Sequence, residues 1–501
     1  MTRANITIAI LAVLILVLCV LSYIGAPLIT GRDEPAIGTF IRELDKTNNG
    51  HKLLEHYLTK VNTFVKYRIG PYRDLKPEEQ EKISTLMAGH LFAAAVALAG
   101  FLASAALFII NSRDQQPPVS RRKLAVTVAM VILAGTAIRL ILAAAIYGNF
   151  DMQSYEMVAD IVRHGGNVYA MTPRYNYSPV WFTILSVLTQ IQIALPGVPF
   201  HFVVRSFLCG IDLLTLVVLL FIAGTCKLPA VRTAIFFYLS PVSFLMTGYH
   251  GQFENLAMLM VLIGIFMYLR LATRPVLKTA LLWLFATAGM IVKHNTFYEL
   301  IICLHSSIKR YWIKIPLFAI SVIIFLSLFI PYWETGRKGI IDNVFLYGSD
   351  SGAYGVTSLF TLPELRYLFI PALFIFPLFL KGRDIIAQCL LGTLFFLTFT
   401  TGIAIQYFVL PVAIGVLRPS RWFLLYTLLA SFLFLGNDNN NVYIPGFHLF
   451  RFNLVWVAVA CWFIAEMRLD RQAAGSTIPE KAEGHKGPPI KTRADSFRRG
   501  R

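Results

Sequence analysis

Apolar runs of about 18 residues or more, recurring from one end of the chain to the other, constrain this sequence more than any motif in it. A run of that length crosses a hydrocarbon layer as a helix. Inside lipid only helices and closed barrels satisfy their own backbone N–H and C=O groups. The composition agrees: 56% of the 501 residues are hydrophobic and 14% are charged, a balance that excludes an ordinary soluble domain. The expected fold is an all-α polytopic membrane protein, a bundle of about 14 transmembrane helices.

The net charge of +18 would suggest nucleic acid in a soluble protein. Here the Lys and Arg residues fall in short loops between apolar runs, where they set topology by the positive-inside rule, and no nucleic-acid partner is expected. Read this way, the chain divides into four parts. Residues 1–123 form a transmembrane hairpin with an extracytoplasmic loop over 26–86. Residues 124–310 form a central module. Residues 311–467 add further spans with an outer loop over 333–363, and residues 468–501 form a basic, disordered tail. Both termini are placed in the cytoplasm, and the first apolar segment, 5–25, reads as a retained anchor because it lacks a cleavage site. The segment 178–197, bounded by Pro179 and Pro196, reads as an interfacial helix, since Lys227 and Arg232 on the inside leave room for only one crossing, 203–224. Segments 279–292 and 295–307 are short for straight spans and read as a broken or re-entrant pair. The six cysteines (Cys19, Cys209, Cys226, Cys303, Cys389 and Cys461) lie in or beside apolar runs without paired spacing. They read as small core residues rather than a disulfide or metal framework.

With that topology the unusual polar residues gather on one face. Asp151, Glu156, Arg174, His250, Gln252, Glu254, Lys293, His294, Arg337 and Asp350 all fall outside or just within the outer leaflet, whereas the inner loops hold only basic anchors. Ionisable groups at membrane depth cost about 2.5–3.5 kcal/mol each on insertion scales, so they require partners or a wet cavity. Arg205 and Asp212 lie seven residues apart on one side of a helix and read as a structural ion pair or an interhelical hydrogen bond. Arg139 reads either as a snorkelling anchor or as the group that orients an outer carboxylate. Lys293 with His294, at the apex of two short helices, is placed to meet an anionic group such as a lipid phosphate.

These residues carry a family likeness. Arg139 is followed by Asp151-x3-Tyr155, by the turn Gly165-Gly166-Asn167-Val168-Tyr169, and by Tyr175-Asn176-Tyr177-Ser178-Pro179. Arg205-x6-Asp212, Pro241, His250-Gly251-Gln252-Phe253-Glu254-Asn255, Lys293 and Tyr347-x6-Tyr354-Gly355 come next in the same order. In this the chain resembles the GT-C superfamily of membrane glycosyltransferases over roughly 124–360. It looks closest to the bacterial polyprenyl-phosphate-mannose mannosyltransferases and the endoplasmic-reticulum dolichyl-phosphate-glucose glucosyltransferases. Two departures stand out: Tyr-Ser-Pro replaces the usual tyrosine-proline-proline, and Tyr354 stands where a Trp is usual before the glycine.

The resemblance implies an inverting transfer of a sugar, mannose first, from a polyprenyl-phosphate donor to a lipid-linked or cell-envelope glycan acceptor, at the extracytoplasmic face of the plasma membrane. Asp151 is then the catalytic base, with Glu156 and Asp160 as rivals on the same segment. One carboxylate taking the acceptor hydroxyl proton, and cations near the departing phosphate, are what such a step needs. Lys293 is the first such cation, with His250, His294 and Arg337 behind it, and Glu156, Arg174, Tyr175, Gln252, Glu254 and Tyr354 complete the expected substrate site. Arg139, Arg205 and Asp212 are expected to be structural. No cofactor is expected beyond the lipid-linked donor, and no required metal, since no paired acids stand at metal spacing. A lipid or glycan flippase, or a polysaccharide polymerase or ligase, is the alternative.

Overall fold

The computed structural model describes residues 93, 95–106, 108, 121–145, 150–347, 350–351, 365–436 and 452–475, and they are mostly helical. The expected first span 5–25, the loop 26–86, Tyr354 and the end of the tail lie outside the described residues. The principal helices are α1 (Arg121–Ala145), α2 (Phe150–Arg163), α3 (Pro179–Ala194), α4 (Phe200–Thr225), α5 (Ala230–Tyr238), α6 (Glu254–Arg270), α7 (Pro275–Val292), α8 (Phe297–Ser307), α9 (Tyr311–Ser327), α10 (Trp333–Gly339), α11 (Leu365–Ile375), α12 (Ile385–Phe399), α13 (Arg421–Gly436) and α14 (Phe452–Gly475). A two-residue antiparallel pairing of Asp350–Ser351 with Gly402–Ile403 is a small departure from the expected all-α chain.

Four of the described helices are long and apolar enough to cross a membrane: Arg122–Ala144, Phe200–Thr225, Pro275–Val292 and the continuous stretch Tyr311–Phe345. Ala230–Tyr238 with Pro241–His250, bent by 45°, makes a fifth if the pair is one span. Other expected spans correspond to apolar helices of 10–17 residues, among them Ile385–Phe399 and Arg421–Leu435. Two expectations are corrected. Pro275 starts α7 four residues before the expected span, which gives a helix of 18 residues rather than a short half. The expected loop over 333–363 opens as helix, through α10 and a π-helical turn at Ile340–Phe345.

Burial follows the lipid-facing logic. On α1, Val126, Met130 and Leu133 are each more than half exposed, and on α9 so are Ile315 and Ile323. An apolar surface of that extent needs lipid or a partner rather than water. By contrast, α6 is buried without a break from Glu254 to Phe266, most of its length. It packs on α4 and α7.

Small residues set how closely α6 and α7 approach. A methyl at Gly289 would lie 3.0 Å from the Ala257 carbonyl oxygen, and one at Gly264 would lie 3.1 Å from the Phe285 Cβ. Without side chains at these positions the two backbones come together, as small residues allow in membrane bundles. The register is antiparallel. Extended by one turn past Ala257 and Gly289, it sets the first residue of α6 opposite the residue that caps α7. Those residues are Glu254 and Lys293.

Candidate functional site

The polypeptide between α5 and α6 bends the site into shape. Pro241–Phe244 continues into a π-helical turn, Leu245–His250, which ends at Gly251 with φ of +74°. A side chain at Gly251 would be strained by that φ, and its Cβ would fall 2.5 Å from the Met152 methyl. The widened turn and the left-handed exit together deliver Gln252 and Glu254 towards α2 and α7.

The site is built on that corner. Gln252 Nε2 donates to Asp151 Oδ2, and the Tyr155 hydroxyl donates to Gln252 Oε1 at 2.9 Å. Tyr155 is one turn on from Asp151 along α2, so a single helix face supplies the carboxylate and the group that orients its amide partner. Lys293 forms an ion pair with Glu254. Its ammonium stands 4.4 Å from the Phe253 ring centroid and 4.8 Å from that of Tyr177. Trp181 stacks on Phe253 at 4.0 Å, and Tyr155 meets Trp181 edge-on at 5.2 Å, so the polar groups rest on an aromatic floor. Glu254, Gln252, His250 and Lys293 are buried, whereas Asp151 is half-buried and is the most accessible of the group.

Charge around Asp151 is mixed. Burial raises its carboxyl above the ordinary value, and Lys293 opposes that rise most strongly, followed by the Gln252 hydrogen bond, His250 and Arg174. Lys293 is pushed down by burial, with Glu254 and Asp151 pulling it back up. His294 is held down to about 4 by burial and by Lys293 beside it. His250 is likewise held down to about 4 by burial, so burial disfavours positive charge at both histidines expected behind Lys293. Lys293 itself is a paired cation, shared between Glu254 and the field of Asp151.

Several expected site residues stand elsewhere. Tyr175 is buried, its hydroxyl donates to the Ser178 carbonyl at 2.6 Å, and it accepts from Phe182 N at 3.0 Å. It shapes the turn into α3 instead of facing substrate. Arg337 lies exposed on α10, its guanidinium 5.6 Å from the Trp333 ring, with no contact to the Asp151 cluster. Glu156 follows Asp151 by five residues on α2, about 140° around the helix, and Asp160 by nine, about 180°. Both are turned away from the face that Asp151 presents to Gln252. Tyr155, Tyr177 and Trp181 belong to the site, and only the aromatic spacing after Asp151 hinted at them.

Of the two readings for Arg205 and Asp212, the interhelical hydrogen bond holds for Asp212 and the mutual ion pair does not. Asp212 takes Arg139, not Arg205: Arg139 Nε donates to Asp212 Oδ2 at 2.8 Å, and both side chains are fully buried. Arg139 also donates to Ser243 Oγ and to the carbonyls of Gly135 and Tyr238, with its guanidinium 4.2 Å from the Tyr238 ring. Thr247 and Asn255 donate to the same Asp212 carboxylate. Arg139 is thus neither a snorkelling anchor nor an orienter of Asp151. Arg205 donates to the Gly248 and Tyr249 carbonyls and so braces the π-helical turn. Seven residues on a helix are about 10.5 Å of rise, and both side chains lean the same way, so Arg205 and Asp212 do not meet.

The site stands at one end of the bundle. Ser306 donates to Gln388 at 2.6 Å and Thr393 donates to Glu299 at 2.6 Å, so α8 and α12 run antiparallel. One end of the pair holds Lys293 and the residues just past Phe399, of which Tyr407 lies close enough to Glu254 to feel its charge. At the other end Arg418 meets Asp384 at 3.1 Å and Glu466 at 3.7 Å, and Arg383 donates to the Glu466 and Met467 carbonyls. The 15 residues of α12 separate the two ends by about 22 Å. Comparison with protein-family models, with curated proteins and with solved structures returns no match.

Proposed function

We propose that this chain is an integral membrane glycosyltransferase that moves a sugar from a polyprenyl-phosphate donor to a lipid-linked or cell-envelope glycan. The observation that carries the proposal is the half-buried Asp151 carboxylate, aimed by Gln252 and Tyr155, with the Lys293 ammonium in its field. An inverting transfer needs one carboxylate to accept the acceptor hydroxyl proton as that oxygen attacks the anomeric carbon. It also needs positive charge near the phosphate that leaves. Asp151 fills the first role. Lys293 fills the second by exchanging part of its contact with Glu254 for the phosphate, and Arg174 adds positive charge in the field of Asp151.

Sidedness supports an extracytoplasmic site. The end that gathers Arg383 and Arg418 suits the cytoplasm by the positive-inside rule, and the Asp151–Lys293 end is the opposite one. In this reading about fourteen spans cross the plasma membrane with both termini inside, and the α3 segment lies along the outer interface. An apolar cavity of about 610 Å³, lined by Leu326, Phe329, Ile330, Trp333, Glu334 and Phe345, supports a lipid-borne substrate. The second reading, a lipid or glycan transporter, draws on the Glu254–Lys293 pair, which a transported anion could open and release.

The deciding experiment is Asp151→Asn in proteoliposomes supplied with polyprenyl-phosphate sugars. The expected result is a fall in sugar transfer of about 10²–10⁴-fold, the usual contribution of general base catalysis, with donor binding retained. Flipping of a labelled lipid by the wild type without any sugar transfer would favour the transporter.

A further inference from the structure

The structure brings together three side chains that the proposed reaction does not use. Glu299 and Cys303 are one turn apart on α8, and Cys389 faces them from α12. One ligand atom of each, a carboxylate oxygen and two sulfurs, lies within 4.8 Å of the others. All three residues are fully buried. Eighty-six residues separate the two cysteines, so the sequence reading of isolated core thiols missed the pair.

The helices meet tightly at this level. A methyl at Gly392 would lie 2.7 Å from the Ile302 side chain, so the glycine allows α8 and α12 to close on each other. Thr393 then reaches Glu299 Oε1, donating at 2.6 Å while also facing its own helix's Cys389 carbonyl at 3.0 Å. Glu299 Oε2 is buried and has no hydrogen-bond partner. A buried carboxylate with one oxygen held by an outer hydroxyl and the other unsatisfied costs free energy as a packing device. The same arrangement is the ordinary setting of a metal-ligating carboxylate, which an outer hydrogen bond orients.

We propose that Glu299, Cys303 and Cys389 bind a single thiophilic divalent cation, zinc above all, which joins α8 to α12. Two sulfurs and one carboxylate oxygen form a donor set that selects zinc over magnesium or calcium. On binding, the two thiols lose their protons to solvent and bind as thiolates, so the metal and not the unsatisfied oxygen becomes the centre of the cluster. Among the described residues no other three His, Cys, Asp or Glu side chains come this close. Cys209, Cys226 and Cys461 fall outside the group. The inference is independent of the glycosyltransferase reading.

The test is metal content of the full-length protein, purified in detergent without chelator, incubated with zinc and then desalted. About one zinc per chain is expected in the wild type and in Cys226→Ser, and less than a tenth of that in Cys303→Ser and Cys389→Ser. Cobalt in place of zinc is expected to give a near-ultraviolet sulfur-to-metal absorption band that both variants lack. Wild-type protein that holds no zinc overturns the proposal, whether or not the variants fold. So does zinc that survives in a folded Cys303→Ser, Cys389→Ser double variant.

Discussion

Glu254 and Lys293 pair one turn beyond the close approach of Ala257 and Gly289 between α6 and α7, the first residue of one helix against the cap of the next. Both are buried, so removing either partner leaves the other as an uncompensated charge. Lys293→Met is expected to destabilise the protein by about 3–5 kcal/mol, and Glu254→Gln with Lys293→Met together by much less. A double-mutant cycle on detergent-solubilised protein, read by thermal unfolding, measures the coupling. Additive single effects would remove the pair from the account of the site.

The register that makes this pair depends on Gly289. Gly289→Leu would drive a side chain into the Ala257 carbonyl 3.0 Å from where a Cβ would begin. Overpacking of this kind costs about 1–3 kcal/mol, and here the backbones, not a flexible tip, must give. The expected result is a lower unfolding temperature with lowered donor binding, because Glu254 and Lys293 are moved apart together. Gly197, which has open space around it, serves as the control: Gly197→Ala is expected to leave both measurements unchanged.

Arg139 and Asp212 should behave as a unit, and Arg205 as a separate one. Asp212→Asn is expected to destabilise strongly in the wild-type background and far less in Arg139→Met, since the buried guanidinium is then already gone. Arg205→Met should couple to Asp212→Asn far less than Arg139→Met does, because its hydrogen bonds to Gly248 and Tyr249 reach Asp212 only through the π-helical turn that carries Thr247. Unfolding of the three single and two double variants decides it. Strong coupling between positions 205 and 212 would contradict the geometry.

Much of this architecture was legible from residues 121–436, and the reasons divide cleanly. Apolar runs and their basic flanks are local, so Arg121–Ala145 and Phe200–Thr225 stand within a few residues of the expected spans. The grouping of Asp151 with Gln252 and Lys293 was also foreseen, as polar residues that share one end of the bundle. Pairing was not. Arg139 and Asp212 are 73 residues apart, and nothing along the chain records which helix faces which. Adjacency on one helix made Arg205 look like the partner, while rise per residue forbids it. Tyr175 was misread for a similar reason: an aromatic beside a turn looks like a substrate wall, but its hydroxyl satisfies two backbone groups. The lowered pKa of His294 comes from burial and from Lys293, which no residue pattern carries.

Asp151 connects activity to stability through one pKa. Burial raises its carboxyl above the ordinary carboxylate value, so folding favours the protonated form more than the unfolded chain does. The sign follows from linkage: a group with a raised folded pKa contributes stability below its unfolded value and loses it as pH rises through the folded one. The ionised carboxylate needed for catalysis at neutral pH is therefore a cost to the fold. Asp151→Asn, which keeps the shape and removes the charge, is expected to unfold at a higher temperature than wild type at pH 7. The difference should shrink as pH falls through the raised folded-state pKa and be gone by about 4, the unfolded value, below which wild-type Asp151 is protonated in both states. Transfer by the wild type should fall on the same acid limb, because a protonated Asp151 accepts no proton. Thermal unfolding and transfer rates measured from pH 4 to 8 test both halves, and an Asp151→Asn protein less stable than wild type at pH 7 would show that the Lys293 and Gln252 contacts outweigh the desolvation of the carboxylate.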